Sequence, residues 1–341
     1  MENIMNKFKL AITCVSLIML PLLGHAADKK EARSYILATA STGGTYYPVG
    51  VAVTTLAKIK LAPKEKLSLS AITSAGSGDN LNLMRKNEAQ FGILQGLYGA
   101  WAWNGTGPFK KQGANKEFRS VTMLWKNVEH FTVKKSAVKG DNLKDINALY
   151  GKTFSIGKRN SGTEGSGKHI LGSLGIDTTK FNNVHMGYGA SAGAMQDGRI
   201  VGMNTPGGIP VSAITRALSS DGKNLKVLNV SDASLAKINE DFPLWVRQII
   251  PANTYPNQES AIKTIAQPNF LAVKADLPER DVYLVTKAIY ENLPFLRSIH
   301  SATKVMSIEN AISGLTVPLH PGAARYYREV GVKIPAHLIS K

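Results

Sequence analysis

The stretch Thr153-Phe-Ser-Ile-Gly-Lys-Arg-Asn-Ser-Gly-Thr-Glu-Gly-Ser-Gly-Lys-His169 decides how the rest of the chain is read. It opens as an alternating apolar strand, passes through a run of small residues and continues as a helix from about residue 163 to 174. Gly162, Gly167 and Lys168 match the spacing of a phosphate-cradling loop, G-x-x-x-x-G-K-[ST], but His169 stands where Ser or Thr would hold magnesium. Three readings stay open on these residues. They form a nucleotide loop, a plain helix cap, or a pocket for another anion at a helix N-terminus.

Working outward, the chain has 341 residues, enough for a large core and for two domains. Hydrophobic residues make up 43% and charged residues 19%, so disordered and fibrous classes are excluded. The formal charge of +17 speaks of anionic partners, not of fold. Lys7 and Lys9 precede an apolar run at 10–23, too short for an ordinary spanning helix, and Gly24-His25-Ala26 supplies small residues at −3 and −1 of a cleavage site. A secretory signal peptide at 1–26 and a periplasmic location are therefore expected. Cys14, the chain's one cysteine, lies in that run, so the mature chain would have no disulfide, thiolate metal site or cysteine nucleophile. An exported protein also has no ATP or GTP supply, which weighs against the nucleotide loop.

Strand-to-turn-to-helix units recur along the chain. A strand from Ser34 breaks at Ser41-Thr-Gly-Gly-Thr45, and Tyr46-Tyr47-Pro48 opens a helix through 58. A strand at 67–73, a turn at 74–78 and Asp79 as N-cap lead to a helix at 80–87. The next strand, 89–94, ends at Gln95-Gly96, and Trp101 and Trp103 fall in a loop that follows. Strands at 118–125 and 130–134 cross towards a second domain. That domain contains a short amphipathic helix at 141–149, the opening stretch, a strand at 184–188, helices at 190–197 and 211–218, and a strand at 225–230. Residues 245–249 begin the return, a strand at 270–273 and a helix at 279–293 follow, and 318–327 starts a last helix. Polar and glycine residues sit at successive strand ends, where open parallel sheets bind ligands.

Six motifs in order resemble one family. They are Ser41-Thr-Gly-Gly-Thr-Tyr-Tyr-Pro48, Thr73-Ser-Ala-Gly-Ser-Gly-Asp-Asn-Leu81, Asn160-Ser-Gly-Thr163, Gln196-Asp-Gly-Arg-Ile200, Pro251-Ala-Asn-Thr-Tyr-Pro256 and Pro318-Leu-His-Pro-Gly-Ala-Ala-Arg-Tyr-Tyr327. Together they resemble the TAXI solute-binding proteins of tripartite ATP-independent periplasmic (TRAP) transporters. The resemblance implies an α/β, type II periplasmic-binding-protein fold: two α/β lobes around a ligand cleft, joined by a multi-segment hinge. Lobe I would take 27–130 and 250–341, and lobe II 131–249. It implies a small organic acid as ligand, a dicarboxylate or an acidic amino acid such as glutamate or 2-oxoglutarate, and membrane permease subunits as partner. Carried over by position, the first-lobe site is Gly44, Thr45, Tyr46, Ser74, Ser77 and Gln95, and the second-lobe site is Ser161, Gly162, Thr163 and Tyr188. The chain departs from the family at Val201-Gly202 and at Asn204-Thr-Pro-Gly-Gly208, a segment expected to line the cleft, so Asn204 joins the site.

Other candidates are weighed on their chemistry. Arg159 is preferred to Lys158 as a direct ligand, because a guanidinium grips a carboxylate bidentately. Tyr46 faces the ligand, whereas Tyr326 and Tyr327 pack the last helix. Seven histidines are scattered without ligand spacing, so neither a metal nor another cofactor is expected. No carboxylate–histidine turn suggests catalysis, which leaves a secreted hydrolase of unfamiliar type on a small acidic substrate as the alternative. Basic residues are spread without an aromatic-interleaved patch, so nucleic acid is not the expected partner, and the chain is expected to act as a monomer.

Overall fold

The computed structural model describes residues 31–339, so the expected signal peptide at 1–26 lies outside the described residues. In chain order the strands are β1 (Arg33–Ala38), β2 (Leu67–Ile72), β3 (Phe91–Gln95), β4 (Phe118–Val128), β5 (Phe131–Lys134) and β6 (Thr153–Ser155). They continue as β7 (Asn182–Val184), β8 (Gly202–Asn204), β9 (Leu225–Val227), β10 (Val246–Ile250) and β11 (Ile262–Lys274).

Two sheets repeat one plan. In the larger, β2, β1 and β3 lie side by side, β11 runs antiparallel next to β3, and β4 and β10 both pair with β11. In the smaller the order is β7-β6-β8-β5-β9, with β5 antiparallel to β8 and to β9. Each sheet thus places its second parallel strand, its first, its third and then an antiparallel strand, β11 in the larger and β5 in the smaller. Short βα connections keep the helices on the sheet faces, where apolar side chains cover them. Phe91, Phe118, Trp125 and Phe270 are fully buried in the core of the larger sheet. The smaller sheet is covered by one cluster around Phe131, Phe154 and Leu171 and another around Met195, Met203 and Ile214. No helix among the described residues is long and apolar enough to cross a membrane.

Several elements differ from the sequence reading, each for a local reason. Gly96–Asn104 is a helix, not a loop; it is apolar on nearly every side and buried around Leu97, Tyr98 and Ala102. Strand β11 is far longer than 270–273, because Pro268, which normally argues against an inner strand, sits beside a register shift at Asn269/Phe270. The strand expected at 184–188 stops at Val184, and Tyr188 already starts a helix. The helix expected at 80–87 begins at Ser77, because Gly76 takes a φ of +118° that caps it earlier; Asp79 instead accepts from the Ala75 amide at 2.9 Å. Val246–Ile250 pairs within the larger sheet, so the return to it comes ahead of residue 250.

Candidate functional site

Four helices aim their N-termini at one cavity, two following strands of each sheet. Helix Tyr46–Lys60 follows β1 and helix Ser77–Arg85 follows β2; helix Gly162–Ser173 follows β6 and helix Tyr188–Gln196 follows β7. Their first residues and caps, Thr45-Tyr46, Gly76-Ser77, Ser161-Gly162-Thr163 and Gly187-Tyr188, all line the cavity. The first turn of a helix leaves backbone N–H groups without intrahelical partners and carries the positive end of the dipole. Lys158 is the one charged residue among those that line it, and the lining includes no carboxylate. With the two halves in contact the cavity is small, about 30 Å³.

Most hydroxyls here have fixed duties. Ser161 caps its helix by accepting from the Glu164 amide at 3.0 Å, and Glu164 in turn accepts from the Asn160 amide at 3.0 Å. The Thr163 hydroxyl meets the Tyr188 hydroxyl at 2.7 Å, which donates to the Pro206 carbonyl at 2.6 Å. Thr45 binds both backbone groups of Gly208 at 3.0 Å. The Tyr46 hydroxyl donates to Asn269 Oδ1 at 2.6 Å, and its ring meets Trp125 edge-on. Burial raises the pKa of the Tyr46 and Tyr188 phenols, so both remain neutral donors. Ser77 accepts from the Gln95 amide at 3.0 Å. By contrast the Gln95 Oε1 atom and both polar atoms of the Asn127 amide are buried without a partner and belong to the lining.

The two halves touch around this cavity. The Asp79 amide donates to the Asn160 carbonyl at 3.0 Å, and the Ala213 amide to the Gly43 carbonyl at 3.2 Å. Gly162 sits so close to the opposite half that a Cβ there would lie 2.7 Å from Ser77 Oγ and from Gln95 Cδ. Glycine is required at that position by proximity.

Of the residues singled out from sequence, Gly44, Thr45, Tyr46, Ser77 and Gln95 line the cavity from one side. Ser161, Gly162, Thr163 and Tyr188 line it from the other. Three do not line it. Ser74 is buried in its own turn, within 2.6 Å of Asn80 Oδ1 and accepting from the Gly76 amide. Asn204 is buried behind the cavity, its amide reaching the Thr163 carbonyl at 3.4 Å. Arg159 points to solvent, and Lys158, one residue earlier, reaches the cavity instead; on a turn, neighbours diverge and bidentate chemistry does not decide direction. Pro206 lines it from the segment 204–208 that was expected to do so, while Asn127 and Met186 also line it without having been foreseen, since they come from a strand end and a loop that carry no motif. Gly167, Lys168 and His169 lie farther along helix Gly162–Ser173. Lys168 pairs with Glu164 at 2.7 Å, and His169 stacks on Trp245 with centroids 5.1 Å apart, so neither addresses the cavity.

Two sheets of one permutation, meeting at a cleft walled by helix N-termini, make this a protein of the periplasmic-binding-protein fold. The chain belongs to the NMT1-like family, whose model matches residues 37–331. Among solved structures, a protein from Bordetella bronchiseptica is 14% identical, with 90% of this chain and 91% of that chain covered at a TM-score of 0.52. A binding protein component of an ABC phosphonate transporter from Pseudomonas aeruginosa is 11% identical, with 80% and 79% covered and a TM-score of 0.48. The ligand-binding core of GluR0 from Nostoc punctiforme, in complex with L-glutamate, is 10% identical, with 79% and 98% covered and a TM-score of 0.45.

Proposed function

We propose that this chain is an extracytoplasmic solute receptor that binds a small organic acid and hands it to a membrane permease, performing no chemistry on it. The observation that carries this reading is the convergence of four helix N-termini and Lys158 on a cavity whose lining includes no carboxylate. Each N-terminus favours an anion by about 0.3–1 kcal/mol, and a charge-assisted hydrogen bond adds about 1.5–3 kcal/mol. Both halves contribute donors, so an acid binds the closed arrangement better than the open one and shifts the population towards it. The halves act as two lobes, one built mainly on 131–249 and the other on the remainder of the described chain. The six motifs quoted above favour a dicarboxylate or acidic amino acid, glutamate or 2-oxoglutarate in kind, and delivery to a TRAP-type transporter from the periplasm.

Calorimetry of the purified protein against dicarboxylates and acidic amino acids tests this. Binding of one of these acids is expected; binding of nucleotides with none of the acids overturns it. Recovery of the bound acid unaltered after incubation separates a receptor from a hydrolase. Thr163→Ala and Gln95→Ala are each expected to weaken binding by about 1–3 kcal/mol, roughly 5- to 150-fold, with the fold retained. Unchanged dissociation constants for both variants would remove those side chains from the site.

A further inference from the structure

The crossing between the two sheets buries a carboxyl that the ligand cavity does not use. Glu129 lies between β4 and β5 and is fully buried. Its amide donates to the Ile265 carbonyl at 2.9 Å, and its carbonyl accepts from the Thr264 hydroxyl at 2.8 Å, which pins it where the chain passes between sheets. Four side chains face the carboxyl: Ser166 on helix Gly162–Ser173, Asn204 on β8, Gln267 on β11, and Trp245 beside β10. Ser166 Oγ, Asn204 Oδ1, Gln267 Nε2 and Trp245 Nε1 are buried and, like both Glu129 carboxyl oxygens, complete no hydrogen bond at their present separations. Folded interiors leave few such atoms, and a buried carboxylate needs either a cation or a proton.

Among the described residues no cationic side chain supplies the charge. The His130 ring is engaged by the Val128 carbonyl at 2.9 Å and the Tyr255 hydroxyl at 2.8 Å, and burial pushes its pKa down to about 4. His169 stacks on the far partner, Trp245, and burial likewise disfavours its charged form. Tyr46 and Tyr188, which also feel the Glu129 charge, are neutral phenols, and Lys158 belongs to the cavity wall.

The surrounding groups distinguish a proton from a metal ion. The Leu97 amide donates to Gln267 Oε1 at 2.9 Å, which turns the Gln267 Nε2 donors towards Glu129. Asn204 uses its Nδ2 on the Thr163 carbonyl, which leaves Oδ1 as the acceptor. A metal ion would meet N–H groups of Gln267 and Trp245 where it needs oxygen. A protonated carboxyl suits both kinds of neighbour, its carbonyl oxygen accepting from Trp245 and Gln267 and its hydroxyl donating to Asn204 Oδ1. We propose that Glu129 is a proton-binding site in the hinge, protonated when the two lobes are closed, so that closure around an acid takes up a proton. Burial pushes this carboxyl up to about 8 from its usual 4.5, against the opposing pull of the four neighbours. With the folded value above the unfolded one, the stabilisation is fully present below about pH 4.5 and is lost as pH rises through about 8.

The coupling to an acid rests on the receptor reading, but the proton site does not, and two measurements keep them apart. The first is unfolding of the full mature chain by denaturant between pH 5 and 8, wild type against Glu129→Gln, which copies the shape of the protonated carboxyl. The wild-type folding equilibrium constant is expected to fall by up to about tenfold per pH unit relative to the variant. Parallel pH profiles overturn the proposal and leave the receptor reading standing. The second is calorimetry with glutamate near pH 7 in buffers of different ionisation heat. Uptake approaching one proton per ligand in the wild type, and none in Glu129→Gln, supports the proposal. Tightening by added sodium in the wild type alone would assign the site to a metal cation and overturn it. If glutamate and the other acids fail to bind, the receptor reading falls and the stability profiles still decide the proton site.

Discussion

Gly162→Ala is expected to abolish most acid binding while leaving the fold intact. A Cβ at this position would lie 2.7 Å from Ser77 Oγ, and Ser77 is held in place by the Gln95 amide at 3.0 Å. It would also lie 2.7 Å from Gln95 Cδ, so neither neighbour yields without losing a group that lines the cavity. Overpacking of this kind costs about 1–3 kcal/mol, and here the two halves relieve it by standing apart, so the cost falls on closure. The expected loss of affinity is roughly 30- to 150-fold, at the upper end of that range. Gly172 in the same helix provides the contrast, since a Cβ there meets nothing within 4 Å. Gly172→Ala is expected to stabilise the chain by about 0.5–1 kcal/mol and to leave affinity unchanged. Calorimetry and denaturant unfolding of the two variants check both statements. Equal affinities for Gly162→Ala and wild type would show that the halves do not approach this closely around the ligand.

Lys158→Gln is expected to weaken acid binding by roughly 10- to 150-fold, because it removes the charged residue of the lining and a charge-assisted bond of about 1.5–3 kcal/mol. Arg159→Gln, one residue away and exposed, is expected to change affinity by less than about twofold at physiological salt, where an exposed charge is largely screened. Dissociation constants of the two variants, measured at low and physiological salt, decide between them. A larger loss for Arg159→Gln would return the ligand contact to the guanidinium.

Much of this site could be read before any coordinates. Asn160-Ser-Gly-Thr163 signals a helix start through local rules: Asn160 takes a φ of +60°, Ser161 caps and Glu164 closes the turn. Such signals act over a few residues, so they survive in sequence. The same holds for Ser41 to Tyr46 and for Ser77, where a strand end, small residues and a helix start follow one another. Contributions from other segments do not survive. Asn127 reaches the cavity from the end of β4, and Met186 from the loop after β7; each is there because distant strands pair, and neither carries a local mark. Ser74 shows the converse, a polar residue in a promising turn whose hydroxyl is taken up by Asn80 and the Gly76 amide.

Residue order alone specifies the repeating strand, turn and helix units, the helix starts that supply N–H donors, and the basic charge that favours an anion. Which of those starts meet is set by the three-dimensional arrangement, because the crossings that bring the sheets together depend on pairing between residues far apart in the chain. It also decided that Lys158 and not Arg159 faces the cavity, since a turn sends adjacent side chains in different directions. The opening stretch illustrates both parts: its cap is written in neighbouring residues, and its meaning comes from the opposite half, whose Ser77 and Gln95 leave room for glycine alone at 162.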